Sequence, residues 1–206
     1  MKPILFNTEM VKAILKGRKT VTRRVVKPAG NIQPQKNGLY TLFAEGTCYE
    51  NQRLEDIVNY LKPLYKVGDV LYVRETWNWY YTRSMKKQYI YRATNENKSG
   101  GQNWKPSIHM PKEAARLFLR VTDVRLEKLH DMELEDFIKE GIILSMEDMT
   151  NHDMALWKAR ELFKDLWNST AGQRSASERY SNNYYRNPYV WVIEFEVITA
   201  EQAQGN

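Results

Sequence analysis

Residues 189–197 constrain the fold more than any other part of the chain. They are almost wholly β-branched or aromatic, and in an extended backbone Tyr189, Trp191, Ile193, Phe195 and Val197 fall on one face. Pro188 suits the entry to such a strand, where a missing N–H costs least. A strand this apolar must be covered. Three further segments read as strands: 70–76, fed by a tight turn at Val67-Gly68-Asp69; 87–93; and 116–124. In the last, Leu117, Leu119 and Val121 face one way and Phe118, Arg120 and Thr122 the other.

Helical periodicity appears at the start and in the second half. Residues 8–15 carry Met10, Val11, Ile14 and Leu15 on one stripe, with Asn7 or Thr8 as cap, Glu9 near the positive end and Gly17 as stop. Residues 132–140 place Leu134, Phe137 and Ile138 inward, and 155–167 place Leu156, Ala159, Phe163 and Leu166 on one stripe. Leu54, Ile57, Val58 and Leu61 predict a short helix before Pro63. Strands and helices do not alternate, so a doubly wound sheet is disfavoured, and neither GxGxxG nor GxxxxGK[ST] occurs. The expected fold is mixed α/β of the α+β class, a small β-barrel or strongly curved sheet with flanking helices.

At 206 residues the chain can build a substantial core, and 13 Tyr, 6 Trp and 6 Phe argue against disorder. Its apolar stretches fall far short of the roughly 20 residues of a membrane span. Residues 1–6 run into polar Asn7, Thr8 and Glu9, unlike a secretory leader. Cys48 stands alone, which excludes an internal disulfide and a thiolate zinc site. His109, His130 and His152 lack ligand spacing. The expectation is a cytoplasmic protein without metal or cofactor.

Charge is unevenly distributed. Residues 1–126 hold 23 Lys/Arg against 10 Asp/Glu, whereas residues 127–165 hold 5 against 11. Lys12, Lys16, Arg18, Lys19, Arg23, Arg24 and Lys27 follow one another with no acid between them. A solvated basic face is the plain reading of such a run. A phosphate-contacting rim is the sharper one, because Gly17, Thr20 and Thr22 interleave hydroxyls and a flexible point with the cations.

Three clusters carry candidate chemistry. Lys19, Thr22 and Arg24 leave the first helix together, with Glu140 as a distant fourth member. A threonine hydroxyl needs a general base to attack, and a lysine among Arg18, Arg23 and Arg24 could supply one. In the second cluster, Arg74-Glu75-Thr76-Trp77, an inward charge must be paired, either in a structural salt bridge or on a ligand beside Trp77 or Trp79. The third is Trp104-Lys105-Pro106-Ser107-Ile108-His109-Met110-Pro111, read as an extended or turning pocket wall. Ser107 and His109, two apart, face opposite ways if extended. Trp157, Trp167 and Trp191 read as packing residues. Tyr80, Tyr81, Tyr180, Tyr184 and Tyr185, near Arg179 and Arg186, are candidates for stacking on single-stranded bases. Residues 28–46 and 171–183 read as loops, and 95–103 as a tip.

Gly17-Arg18-Lys19-Thr20-Val21-Thr22-Arg23-Arg24 resembles the signature of ASCH domains, small PUA-like β-barrels related to RNA-binding modules. Val67-Gly68-Asp69-Val70-Leu71, Glu140-Gly141 and the closing strand agree in order and character. Val73-Arg74-Glu75-Thr76-Trp77, residues 104–111, 162–167 and 187–195 resemble the longer ASCH proteins often encoded by bacteriophages and prophages. The likeness spans residues 1–206 as a single domain, with insertions near 29–62 and 168–186.

The resemblance implies RNA binding, nuclease action in some bacterial members, or removal of the acetyl group from N4-acetylcytidine in an amidohydrolase branch. In that branch the proposed Lys base matches Lys19, the Thr nucleophile Thr22 and the Glu proton shuttle Glu140. The expected ligand is single-stranded RNA or a modified nucleoside or nucleotide, contacted by Arg18, Arg23, Arg24, Arg74, Glu75, Trp77, Trp104, Ser107 and His109. Binding and catalysis both remain open from the residues, as does use of the scaffold in phage assembly or protein interaction.

Overall fold

The computed structural model describes residues 1–26, 32–44, 46–61, 63–95, 103–170 and 182–205. Lys27 of the basic run, most of the 95–103 tip, and residues 171–181 with Arg179 and Tyr180 lie outside the described residues. The fold is mixed α and β. Among the described residues ten strands form three sheets: a five-stranded one in the order β1-β6-β9-β10-β2, a meander β3-β4-β5 and a ribbon β7-β8. No described helix is long and apolar enough to cross a membrane. The chain divides into two compact units, one of Met1–Thr20, Val67–Thr122 and Phe195–Asn206, the other of Val21–Lys66 and Asp123–Glu194.

In the first unit β1 (Lys2–Leu5) runs parallel to β6 (Val70–Arg74), which pairs antiparallel with the start of β9 (Phe118–Lys128). Leu117, Leu119 and Val121 are buried and Thr122 is exposed, so the predicted alternation holds. Helix α1 (Thr8–Leu15) has the expected bounds, and the Asn7 side chain accepts from the Met10 N–H. Val11, Ala13 and Ile14 are buried, whereas Leu15, predicted inward, is exposed. Leu15 is the last residue of the helix, next to the Lys16 C-cap.

The sequence assigns no element to residues 77–81. Trp77 and Trp79 belong to a strand, β7 (Trp77–Tyr81), hydrogen-bonded to β8 (Lys87–Tyr91). Its run of aromatics hides the period-2 signal because both faces carry rings. The segment 104–111, read as extended or turning, turns: a 3₁₀ turn spans Ser107–His109 and a second, Lys112–Ala114, follows the segment, each entered through a proline. A short closing helix, α5 (Ala200–Gln204), is fixed by reciprocal bonds between Thr199 and Gln202.

In the second unit β2 (Val21–Val25) pairs antiparallel with β10 (Tyr189–Ile198) in the register Thr22 to Ile193, Arg23 to Val192 and Arg24 to Trp191. Val190, Trp191, Val192 and Ile193 are all buried, so this part of β10 is covered on both faces rather than on the single face its alternation suggests. Helices α3 (Leu134–Lys139) and α4 (His152–Thr170) contribute Phe137, Ala155, Ala159, Phe163 and Trp167 to one core with Val190 and Val192. Ile138 and Trp157, predicted to pack, are exposed. Tyr184, predicted on the surface, is buried against Phe163 and His130.

The excursion predicted over 28–46 is largely sheet where it is described. β3 (Ile32–Pro34), β4 (Tyr40–Ala44) and β5 (Thr47–Gln52) form an antiparallel meander, with Gly38 at φ +79° in the first turn. Among its described side chains only Ile32 and Leu42 are buried, and its Gly, Asn and Gln residues read as loop. Helix α2 (Leu54–Tyr60) follows as predicted, and Tyr60 packs its ring 4.6 Å from that of Tyr49.

Candidate functional site

The second unit holds a buried polar cluster at the junction of β2 and the end of α3. Thr22, Arg23 and Glu140 are each more than nine-tenths buried. β2 delivers consecutive side chains to opposite faces, so Thr22 and Arg24 share one and Arg23 takes the other. Glu140 caps the C-terminus of α3, and Gly141 follows at φ +98°, releasing the chain from the helix.

The Arg23 guanidinium is surrounded by carboxylates. Nη1 lies 3.4 Å from Glu140 Oε1, and Nη2 lies 3.0 Å from Asp136 Oδ1 and 3.5 Å from Glu127 Oε2. Its Nε is buried without a hydrogen-bond partner. A side chain expected to meet phosphate therefore turns toward acids, and a phosphate would have to displace one of them. Sequence reading overlooked Glu127 and Asp136. Asp136 could have been found from its position one helical turn before Glu140, on the same face.

Arg24 is half-buried. Burial pushes its guanidinium pKa below the ordinary arginine range, while the negative charge of Glu140 and then Tyr65 oppose that shift. One buried carboxylate thus acts on two adjacent arginines, by contact with Arg23 and through the field at Arg24.

In the first unit the chain reverses after α1 through Gly17, with the Arg18 and Lys19 N–H groups both donating to the Ala13 carbonyl. Lys19 is 1% exposed and its ammonium stands 5.7 Å from the centre of the Phe6 ring. Arg18 is half-buried.

The second candidate cluster also belongs to the first unit. Glu75 is buried, and both its oxygens are held by Arg116, which the sequence reading did not single out. The guanidinium of Arg116 lies 4.0 Å from the centre of the Tyr91 ring and reaches Thr94 Oγ1. Arg74 donates to the Ile108 carbonyl, and its Nε is buried without a partner. The Trp77 ring is buried with its indole N–H unpaired, on Met110 and Ala114. Trp104 and Ser107 are half-buried and His109 is exposed. Among the described residues no group of three or more His, Cys, Asp or Glu is arranged to hold a metal ion.

No family model and no curated relative matches the sequence. Among solved structures, the chain is similar to protein EF3133 from Enterococcus faecalis V583, described under the family model DUF984. The identity is 11% and the TM-score 0.41, with 100% of this chain and 82% of that one covered. So slight a likeness says nothing about activity.

Proposed function

We propose that the chain is an ASCH-type domain that binds RNA or a nucleotide, with Thr22, Arg24 and Glu140 as its ligand groups. The five-stranded sheet with its flanking helices is read as the PUA-like barrel scaffold. One observation carries the proposal: Thr22, Glu140 and Lys19, the three residues marked by the resemblance, are all buried. Burying polar and charged groups costs stability, which favours a role beyond keeping the surface soluble. Lys19 sits in the first unit and is probed by its own substitution. The basic bias of residues 1–126 supports an anionic ligand.

The test is binding of a labelled 12-nucleotide oligouridylate by the full chain at several salt concentrations. Affinity should fall as salt rises, with a log–log slope of about −0.7 per phosphate contacted, and Arg24→Ala should weaken it. No binding, or binding indifferent to salt, rules the reading out.

The burial of the Glu140 carboxylate beside β2 also favours a hydrolase reading. In it Thr22 Oγ attacks the acyl carbon of an N4-acylcytidine, the amine leaves with a proton, and water releases the acid from the acyl-threonine. The resemblance gives the base role to Lys19 and the proton-shuttle role to Glu140. Acyl release at equal rates by wild type and Lys19→Ala counts against that assignment.

A further inference from the structure

The β7–β8 ribbon gathers aromatic and basic side chains on one face. Its register sets Trp77 opposite Tyr91, Trp79 opposite Tyr89 and Tyr81 opposite Lys87, so these six side chains share one face. The base of that face is packed: Trp77 is buried on Met110 and Ala114. The outer part is open. Trp79 is half-buried, Tyr81 is 56% exposed, and their rings meet edge to face at 5.3 Å. Cations flank the open rings. Lys87 lies 5.4 Å from the centre of Trp79 and 4.9 Å from that of Tyr89, and Lys105 lies 5.2 Å from Trp79.

Charge identifies the kind of partner. From residue 77 to residue 95 there are Arg83, Lys86, Lys87 and Arg92 and no acid. The acid that does approach is Glu113, which accepts the Tyr89 hydroxyl proton at 2.5 Å and lies 3.5 Å from Lys87. It engages Tyr89 and Lys87, so a phosphate at Lys87 would take its place, while Arg83 and Lys86 follow Tyr81 in the hairpin turn and add positive charge there. Flat apolar rings set among cations fit a polyanion that exposes flat apolar faces. A duplex hides those faces and an unpaired strand presents them.

We propose that the outer face of the β7–β8 ribbon is a stacking surface for unpaired RNA bases, with Trp79 and Tyr81 as the platforms and Lys87 and Lys105 on the adjoining phosphates. It rests on the RNA-binding reading above and adds to it a surface that the cluster at Thr22 and Glu140 does not contain.

The experiment compares the full chain with Tyr81→Ala, Trp79→Phe and Trp79→Ala, each checked for folding by circular dichroism. Two probes are titrated: a labelled 12-nucleotide oligouridylate and an abasic ribose-phosphate strand of the same length. Wild type should bind the oligouridylate at least about 10-fold more tightly than the abasic strand. Tyr81→Ala should erase about 10-fold of that preference, with Trp79→Phe milder and the salt slope unchanged. Tyr81 is exposed, so its variant keeps the test decisive even if Trp79→Ala fails to fold. Equal affinity of wild type for both probes overturns the stacking surface. So does unchanged oligouridylate binding by Tyr81→Ala and Trp79→Phe while Arg24→Ala is weakened, a result that leaves the RNA-binding reading standing. Absence of RNA binding by wild type, with or without a protein seated on the ribbon, overturns both.

Discussion

Arg116 holds both carboxylate oxygens of Glu75, through Nε at 2.9 Å and Nη2 at 3.1 Å, while its guanidinium plane rests on Tyr91. The pair is asymmetric: the Glu75 side chain is 1% exposed and that of Arg116 28%. Removing the arginine strands a carboxylate with no route to water. Removing the carboxylate leaves an arginine that solvent can still reach. Arg116→Ala is therefore expected to cost about 3 kcal/mol or more, and Glu75→Gln less. Urea unfolding of both variants checks this, and a loss below about 0.5 kcal/mol for Arg116→Ala would show that the pair is dispensable.

The Arg23 network gives a sharper test of the same physics. Glu127 and Asp136 keep partial contact with water, but the Glu140 side chain is only 3% exposed. Arg23→Met should destabilise by about 3 kcal/mol, mostly through Glu140. Adding Glu140→Leu removes the carboxylate that Arg23→Met leaves with less compensation, so the double variant should recover about 1 kcal/mol or more relative to Arg23→Met. A double variant worse than the single would place the cost elsewhere, on Asp136 or on packing.

How much of this was legible depends on whether a residue's neighbours lie near it in the chain. Helix α1, its Asn7 cap and its Gly17 stop follow from local rules, and the structure has them where the rules put them. The alternation of Leu117, Leu119 and Val121 was equally readable. The meander over β3–β5 was not, because among its described side chains only Ile32 and Leu42 reach the core, too few to show a period-2 pattern. Lys19, Thr22 and Glu140 were singled out by chemistry and by the resemblance, and each is found buried, which no spacing rule foretells. What surrounds Arg23 was hidden, since Glu127 and Glu140 lie 104 and 117 positions away. No spacing rule reaches that far, and a basic run in sequence gives no sign that one of its members is enclosed by acids.

Tyr91 links the Glu75–Arg116 pair to alkaline stability. Burial pushes its phenol up to about 12; the positive charge of Arg116 works against that shift, and Glu75 and Tyr89 add to it. Its hydroxyl donates to the Ala114 carbonyl at 2.7 Å, a bond available only to the protonated form. The folded-state value lies above the unfolded one near 10, so this stabilisation is complete below about pH 10 and is lost as pH rises to about 12. Tyr91→Phe should be less stable than wild type at pH 8 because the bond is gone. The gap should narrow steadily between about pH 10 and 12. Denaturant midpoints across that range decide the matter, and a constant gap would show that the phenol does not titrate differently in the two states.

Gly17 sits at φ +69° with nothing within 4 Å of the place a Cβ would occupy. Any penalty for a side chain there is one of backbone conformation alone, free of steric clash. Its N–H donates to the Ile14 carbonyl at 2.9 Å, and the next two N–H groups turn back to Ala13, so the positive φ is what closes helix α1 and sends Lys19 inward. Gly17→Ala should cost about 1 kcal/mol, and Gly17→Asn less, since asparagine tolerates the left-handed region. Thermal unfolding of the two variants should rank them in that order. If both match wild type, the reversal after α1 tolerates another backbone path, and the inward course of Lys19 does not depend on this glycine.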